Sequence, residues 1–491
     1  MVEMEKKIRK FTRDTWIRIQ PYIFIILMIS VVAVILLFGA AAQTVSAIFI
    51  AITLITYALI ATEKMHRTLA SLGGAISTLI ALKITGKMPD LMDVISGSSP
   101  LVDWSVILII ISVAIVSEIA KDSGLFDFIT IKMIKRSGGE PLKLLLYFSL
   151  LMVLLSALLG DVPAFMIVCT LTMMVTKGLD LNPVPYVMTE IIVANATAMV
   201  TVVASFVNLL VAGYFGMNPA YFLSYVGFLA IGLPFALIAM VVTYLYVKRF
   251  YRKDLQREGI SRTEIEKLKK SIMLLNEKEF IKDPKFFRNS AIILIGTLFL
   301  FAISSFIGIP FYVVGLIGAF AFIFMSGIDP LDAFHKVDWS LIFFIMGLFI
   351  VVGGLDRTGV LAAAGSAIGA AAAGSLPLLI IVITLFAGTI SGFLDDISVA
   401  TALIYTVKPM MVAAGLLTPT PILWAIMISA NLGGNISPIG GVANIMGITA
   451  LQKAGAKQGW KQFFKVGVPL TFIFLGLAMV YLIIVSALLG W

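Results

Sequence analysis

Three aspartates stand inside otherwise apolar stretches, and they are the residues best placed to do chemistry. Asp161, in Gly160-Asp161-Val162-Pro163, interrupts the apolar segment 142–176; Asp395-Asp396-Ile397-Ser398 interrupts 376–412 in the same way. A carboxylate at membrane depth costs about 2.5–3.5 kcal/mol, which is tolerated where the group pairs, binds an ion or faces water. Each flanking arm runs roughly 14–18 residues, short of the ~20 that a plain crossing needs. Two re-entrant helical hairpins with acidic tips are therefore expected.

A second set of polar groups breaks two overlong apolar spans. Within 420–450, the run Asn431-Leu432-Gly433-Gly434-Asn435-Ile436-Ser437-Pro438-Ile439-Gly440-Gly441 is followed by Asn444. Glycine weakens a helix and proline removes a backbone donor, so the chain should unwind here. Freed carbonyls can then hold a cation, and the amide end of the next half-helix can hold an anion or polar oxygen. Asn431, Gly433, Gly434, Asn435, Ser437 and Asn444 are the candidates from this run. In the first half, Asn195, Thr197, Thr201, Ser205 and Asn208 keep the polar skeleton within 183–212, but Ala198 to Val207 holds neither glycine nor proline. That span is expected to stay more helical.

With Asp161, Asp395, Asp396 and Ser398, the six residues of the second-half run and Asn195, Thr197, Thr201 and Asn208 make up the candidate substrate and ion site. The coupling ion would be Na+ or H+, with Na+ placed at Asp161, Asp396, Asn195 and Asn431, and no cofactor is called for. Glu118 and Glu190 also lie at or near membrane depth, and Glu190, five residues before Asn195, is a candidate proton site. Asp103 and Asp338 precede tryptophans at span entrances and read as structural. One cysteine, Cys169, rules out an internal disulfide, and His66 and His335 lie far apart, so a zinc site is not expected. No glycine-rich phosphate loop, Ser-His-Asp set or HExxH motif occurs, which leaves ATP-driven pumping and hydrolysis unsupported and argues against an enzyme.

The elements that must position these residues are membrane helices. The 491 residues are 60% hydrophobic and 13% charged, about half the charged fraction of a soluble domain, and mean hydropathy is +1.06. Eleven crossings are expected, near 20–40, 44–61, 68–84, 104–120, 183–212, 222–247, 289–308, 311–327, 339–355, 420–450 and 463–490. The fold class is thus an all-α polytopic membrane protein with two re-entrant hairpins. Residues 1–18 are charged and lack a cleavage site after a short apolar core, so no signal peptide is expected.

Charge fixes the expected orientation. The loop with Lys64 and Arg67, the stretch 121–143, the segment 248–288 and the loop 453–461 are all Lys/Arg-bearing, which places them and the N-terminus in the cytoplasm of a plasma-membrane protein. Residues 248–288 carry thirteen Lys/Arg and seven Asp/Glu, +6 of the net +9. Ser261 and Glu264 there have capping-box spacing ahead of an amphipathic pattern, which suits a surface helix better than a nucleic-acid module.

An internal repeat ties the pieces together. Val102-Asp103-Trp104-Ser105 recurs as Val337-Asp338-Trp339-Ser340, an offset of 235, and Ser156–Asp161 (SALLGD) matches Ser391–Asp396 (SGFLDD) at the same offset. At an offset of 236, Asn195 matches Asn431, Thr201 matches Ser437 and Asn208 matches Asn444. Five crossings separate the two VDWS copies, an odd number, so the halves should be inverted, as in many secondary transporters. The expected organisation is an N-terminal segment and accessory helix (1–43), a first repeat (44–247), a basic linker (248–288) and a second repeat (289–491).

At these residues the chain resembles the ion transporter superfamily, in its arsenite permease, P-protein and Na+/H+ antiporter branch. Ala430–Asn444 (ANLGGNISPIGGVAN) is similar to the branch's second-half signature, Ser391–Asp396 to its hairpin-tip motif, and Glu63–Thr68 (EKMHRT) to its early loop. Aspartate-asparagine is usual at the tip, so Asp396 replaces an amide, and the first half departs further. The resemblance implies secondary active transport through hairpin tips and broken helices, in a bilayer, by proteins that often dimerise. Three carboxylates with no lysine or arginine at the tips argue against a multiply charged anion as sole cargo. Arsenite-like efflux of a small inorganic ion or oxyacid is the expected function, ahead of Na+/H+ exchange or Na+-coupled anion or carboxylate transport. A channel or a membrane receptor is less well supported.

Overall fold

In the computed structural model the described residues are 42–61, 65–87, 91–94, 100–216, 218–255, 279, 281, 283–372, 374–438, 440–455 and 460–491. The expected crossing at 20–40, the capping-box segment from Ser261, Glu63-Lys64 of the early loop and Ile439 lie outside them.

Every regular element among the described residues is helical. The first half contains α1 (Ala42–Ala61), α2 (Arg67–Ile84), α3 (Trp104–Asp122), α4 (Leu125–Ser137), α5 (Pro141–Leu159), α6 (Asp161–Gly178), α7 (Val184–Thr197), α8 (Phe206–Tyr214), α9 (Tyr225–Phe250) and the short α10 (Arg252–Leu255). The second contains α11 (Pro284–Ile307), α12 (Phe311–Ser326), α13 (Pro330–His335), α14 (Trp339–Arg357), α15 (Val360–Ala371), α16 (Leu376–Ser391), α17 (Asp396–Ile404), α18 (Val407–Ala414), α19 (Thr420–Gly433), α20 (Val442–Lys453) and α21 (Trp460–Leu489).

Among the described residues, eight helices are long and apolar enough to cross a membrane, and a bent pair would make a ninth. Six of the eleven expected crossings are among them; 44–61 and 311–327 form shorter apolar helices, and 183–212 and 420–450 are broken. The other two long helices are the arms around Asp161. They run 19 and 18 residues, enough by length for a crossing each, whereas the arms around Asp395 are a 16-residue α16 and the pair α17–α18, bent by 50°.

Local signals explain the boundaries. Proline opens α5, α11 and α13 in the first turn, where its missing donor costs nothing. The side chains of Asp283 and Ser375 accept backbone N–H bonds at the starts of α11 and α16. Between α5 and α6, Gly160 adopts φ 90°, a left-handed turn that glycine makes without steric cost.

The helices form two compact units, Met1–Asp103 with Trp339–Gly365, and Trp104–Asp338 with Ser366–Trp491. In the first, α2 packs between α1 and α14. A Cβ on Gly347 would lie 2.7 Å from the Ser71 hydroxyl, and one on Gly354 2.4 Å from a Thr78 methyl, so only glycine permits this closeness. Membrane helices associate through such small residues because lipid removes the hydrophobic drive. Thr68 Oγ1 adds bonds to the Ser340 carbonyl (2.8 Å) and hydroxyl (2.7 Å), and the Arg67 guanidinium sits over Phe344 at 5.3 Å.

The second unit repeats this pattern with the halves exchanged. There α12 packs between α3 and α11, Gly315 against Ser112 and Gly318 against Thr297. Its centre is formed by α7 and α19, in which every residue is buried. A helix with no exposed face belongs inside a bundle. Helices α5 and α9 pack on α7, α16 and α21 pack on α19, and Phe228 meets Trp424 at 5.0 Å between centroids.

Candidate functional site

Both central helices stop in the middle of what would be a span. After Thr197 the chain leaves the α-helix, makes a 3-10 turn at Val202–Ala204 and resumes as α8; after Gly433 it makes a 3-10 turn at Gly434–Ile436 and resumes as α20. The first break forms without glycine or proline, against the expectation of a more helical first half. Polar side chains take their place. Asn208 Nδ2 donates to the Ala198 and Thr201 carbonyls at 2.7 and 2.9 Å, and Ser205 Oγ caps α8 by accepting the Val207 N–H at 3.2 Å. A freed backbone group that finds a partner no longer forces the helix to continue.

The second break uses the same bonds at an offset of 236 residues. Asn444 Nδ2 donates to the Gly434 and Ser437 carbonyls at 2.7 and 2.8 Å. The hydroxyls also correspond: Thr201 Oγ1 donates to Ala157 O at 2.9 Å and Ser437 Oγ to Gly392 O at 2.6 Å, each tying a break to the hairpin of its own half.

The two breaks also bond to each other. Asn195 Nδ2 donates to Asn435 Oδ1 at 2.8 Å and to Asn444 Oδ1 at 3.0 Å, and Asn435 Nδ2 donates to Ile192 O at 3.2 Å. From the other side Asn431 Nδ2 donates to Met427 O at 2.7 Å and reaches Asn208 Oδ1 at 3.5 Å. All five asparagines are buried, Asn195 being the most accessible at 6%. The two halves differ in one respect. Asn431 Oδ1 accepts from Ser205 Oγ at 2.7 Å, while at the equivalent place beside Asn195 stands Gly441, whose Cβ would lie 3.4 Å from Asn195 Oδ1.

The acidic residues cap the helices behind the tips. Asp161 and Asp396 are the first residues of α6 and α17, and each Oδ1 accepts the next residue's N–H at 2.8 Å. Asp395 Oδ2 accepts from Ser398 N at 3.2 Å and Ser398 Oγ at 3.1 Å. The helix macrodipole favours a negative charge at these positions. Asp161 of one tip lies near enough to Asp396 of the other for their charges to interact, and Asp395 stands within hydrogen-bonding reach of Asp396. All three are half-buried, and none is ion-paired with a cation among the described residues. No three acidic, histidine or cysteine groups among those residues converge tightly enough to hold a metal ion.

The structure thus draws the candidates into two neighbouring groups. Asn195, Asn208, Asn431, Asn435 and Asn444 form the amide cluster; Asp161, Asp395, Asp396 and Ser398 form the tips. Thr201 and Ser437 brace the hairpins. Thr197 belongs to neither group, since its hydroxyl bonds back to Val193 O at 2.7 Å. Gly433 is a seat for α16, its Cβ position 2.3 Å from Gly388 O, and Gly434 lies at the centre, 3.0 Å from Gly440 O. Of the four residues proposed for Na+, Asn431 has both amide ends engaged, while Asn195 Oδ1 accepts nothing from the described residues. The candidate set omits Ser205 and Gly441. A serine immediately before the first residue of a resumed helix is a capping signal that could have found the first.

The model of the citrate transporter family, CitMHS, matches residues 57–428. The chain belongs to that family. It is a membrane transporter of the ion transporter superfamily, the group its motifs resemble. It is 31% identical to a 46 kDa membrane protein of Mycobacterium leprae over 89% of this chain and 98% of that protein. It is 26% identical to an uncharacterized transporter of Mycobacterium tuberculosis with the same coverage. Human P protein is 22% identical over 89% of this chain, which spans 59% of that longer protein.

Proposed function

We propose that the chain is an ion-coupled secondary active transporter built from two inverted repeats. Its acidic tips hold the coupling cation, Na+ or H+, and alternating access carries a small solute past the two breaks. The observation that carries this reading is the approach of two helix-capping tips, with the charges of Asp161 and Asp396 in range of each other and no Lys or Arg of the described residues paired to the three carboxylates, beside asparagines that join the breaks. Inverted repeats use broken helices in this way to hold ions and substrates near mid-bilayer. The tips would re-enter rather than cross, and the basic segments would face the cytoplasm.

The cargo that suits an acidic, unpaired site is neutral or cationic, and arsenite-like efflux remains the first reading. Family membership supports a second one, transport of a carboxylate such as citrate. Free citrate would be repelled by three like charges, so on this reading it enters with its charge offset by a bound cation. The test is flux in proteoliposomes under imposed Na+ and pH gradients, with arsenite, citrate and Na+ each offered as cargo. Arsenite flux driven by either gradient supports the first reading. Citrate flux that requires a cation, with arsenite flux absent, replaces it with the second. Na+ flux alone makes the protein a Na+/H+ exchanger, and unitary currents would make it a channel.

A further inference from the structure

Glu190 lies outside both groups of site residues. It occupies the middle of α7 and is fully buried. Its Oε1 accepts a hydrogen bond from Thr172 Oγ1 of α6, and its Oε2 meets no donor among the described residues. Helices α5, α6, α9, α19, α20 and α21 pack against α7. Their cations with described side chains (Lys143, Lys177, Lys248, Arg249, Lys453 and Lys465) stand at the helix ends, away from the middle of α7, and none pairs with Glu190. Cys169, one turn before Thr172, is a titratable neighbour within range of the Glu190 charge. The phenols of Tyr186, Tyr246 and Tyr481 donate to backbone carbonyls elsewhere. The one carboxylate on α6, Asp161, is eleven residues before Thr172, about 16 Å along the helix.

A buried carboxylate with no counter-charge and one bare oxygen is strongly disfavoured in its charged form. Few buried polar groups go without a partner, and each that does calls for an explanation. A metal ion does not supply it, since Thr172 Oγ1 is the single other oxygen bonded to the carboxyl and no metal-holding cluster forms among the described residues. A proton needs no such shell. The location gives it a role, because the Thr172–Glu190 bond joins α6, which begins at Asp161, to α7, which carries Asn195 about 7.5 Å further along. Beside it, Gly447 of α20 is wedged against Phe165 of α6 and Ile191 of α7, and α20 carries Asn444. Two helices that lead to a tip and a break are therefore joined at one carboxyl, and a third packs against both of them.

We propose that Glu190 is a proton-binding site of its own, separate from the acidic tips, whose occupancy changes as α6 and α7 move against each other in the transport cycle. This rests on the transporter reading for its role in the cycle, although proton binding itself can be measured without any cargo. The experiment is infrared difference spectroscopy on the purified protein in lipid, titrated through the neutral range. The wild type and Asp396→Asn should both show a carboxylic-acid carbonyl band whose intensity follows pH, and Glu190→Gln should lack it. Thr172→Val, which keeps the carboxyl and removes its donor, should move the midpoint of that band to higher pH, because a hydrogen bond to the ionised form favours that form. A band unchanged by Glu190→Gln, or a midpoint indifferent to Thr172→Val, overturns the proposal.

Flux then tests the role. A gradient of one pH unit supports about tenfold accumulation per coupled proton. With arsenite or citrate as the cargo, Glu190→Gln should lose that accumulation by a much larger factor than it loses cargo exchange at equal pH. Equal losses in both would confine Glu190 to a structural part. If the wild type moves neither cargo, the transport reading fails, while the infrared band still decides whether Glu190 binds a proton.

Discussion

The unequal environments of Asn195 and Asn431 allow a direct test of which amide serves the ion. In the first half, Ser205 gives its hydroxyl to Asn431 Oδ1 at 2.7 Å; in the second, Gly441 leaves Asn195 Oδ1 open. Gly441 has φ −165° and ψ 154°, extended backbone that serine adopts freely. A Cβ there would lie 3.4 Å from Asn195 Oδ1 and 3.6 Å from Asn444 Oδ1, in contact without severe clash. Gly441→Ser should therefore rebuild in the second half the bond that Ser205 makes in the first.

The expected effects have opposite signs for stability and function. One new hydrogen bond contributes about 0.5–1.5 kcal/mol, and replacing glycine at a compatible backbone position adds about 0.4–1 kcal/mol through the unfolded chain. The variant should be about 1–2 kcal/mol more stable than wild type. If Asn195 Oδ1 is an ion ligand, losing it removes an interaction with a charged group, about 1.5–3 kcal/mol, or roughly a 10- to 150-fold loss in affinity. Thermal unfolding in detergent reads both effects, because Na+ that binds the folded protein raises the midpoint with concentration. The midpoint without Na+ should rise and the Na+-dependent increment should shrink. A variant with a lower midpoint, or with an unchanged Na+ increment, would refute the assignment of Asn195 Oδ1.

Other substitutions test the remaining parts of the site. Asn444→Ala loses two carbonyl bonds and the contact with Asn195, and should cost about 2–4 kcal/mol by chemical unfolding. Asn208→Ala loses two equivalent bonds but only a 3.5 Å contact with Asn431, so it should cost less by about one bond; the reverse order would contradict the described geometry. Gly433→Ala forces a Cβ to within 2.3 Å of Gly388 O and should cost about 1–3 kcal/mol, whereas Gly476→Ala in α21 meets nothing within 4 Å and should be neutral or slightly stabilising in the same assay. Asp396→Asn should abolish ion-driven transport while leaving the folded yield intact, and retained coupling would remove that carboxylate from the ion site. Lys336→Ala should change stability by less than about 1 kcal/mol, as expected for a partly exposed pair with Asp122.

Much of this architecture could be read from residue type alone, and the failures have identifiable causes. The acidic tips were visible because a carboxylate in an apolar run carries an energetic cost that marks it. The second break was visible because glycine and proline announce unwinding in the backbone itself. The first break was underestimated because its unwinding comes from Asn208, Thr201 and Ser205, whose effect depends on carbonyls up to ten residues away in the chain and on the hairpin at Ala157. The pairing of Asn195 with Asn435 and Asn444 spans 240 and 249 residues, and no local pattern encodes such a contact. The arms around Asp161 were read as short because the polar tip was counted as a gap. In the structure α5 and α6 run up to Gly160 on both sides, leaving one residue between them.

The same energetics explain why a cation would govern how the tips come together. At insertion-scale cost each tip carboxylate stands at about 2.5–3.5 kcal/mol at membrane depth. A helix N-terminus returns about 0.3–1 kcal/mol, up to about 2 in a favourable, partly buried geometry. Asp161, Asp395 and Asp396 all sit at such termini, yet the caps cannot offset the whole cost, and bringing two tips together adds repulsion between like charges. The shortfall is of the same order as the 1–3 kcal/mol through which binding at one site controls another. On the proposed reading, a bound Na+ or H+ supplies that amount when the tips are apposed and withdraws it on leaving. An arginine at a tip would offset the same cost permanently and remove the dependence on an ion, so its absence is what leaves the tips responsive to one.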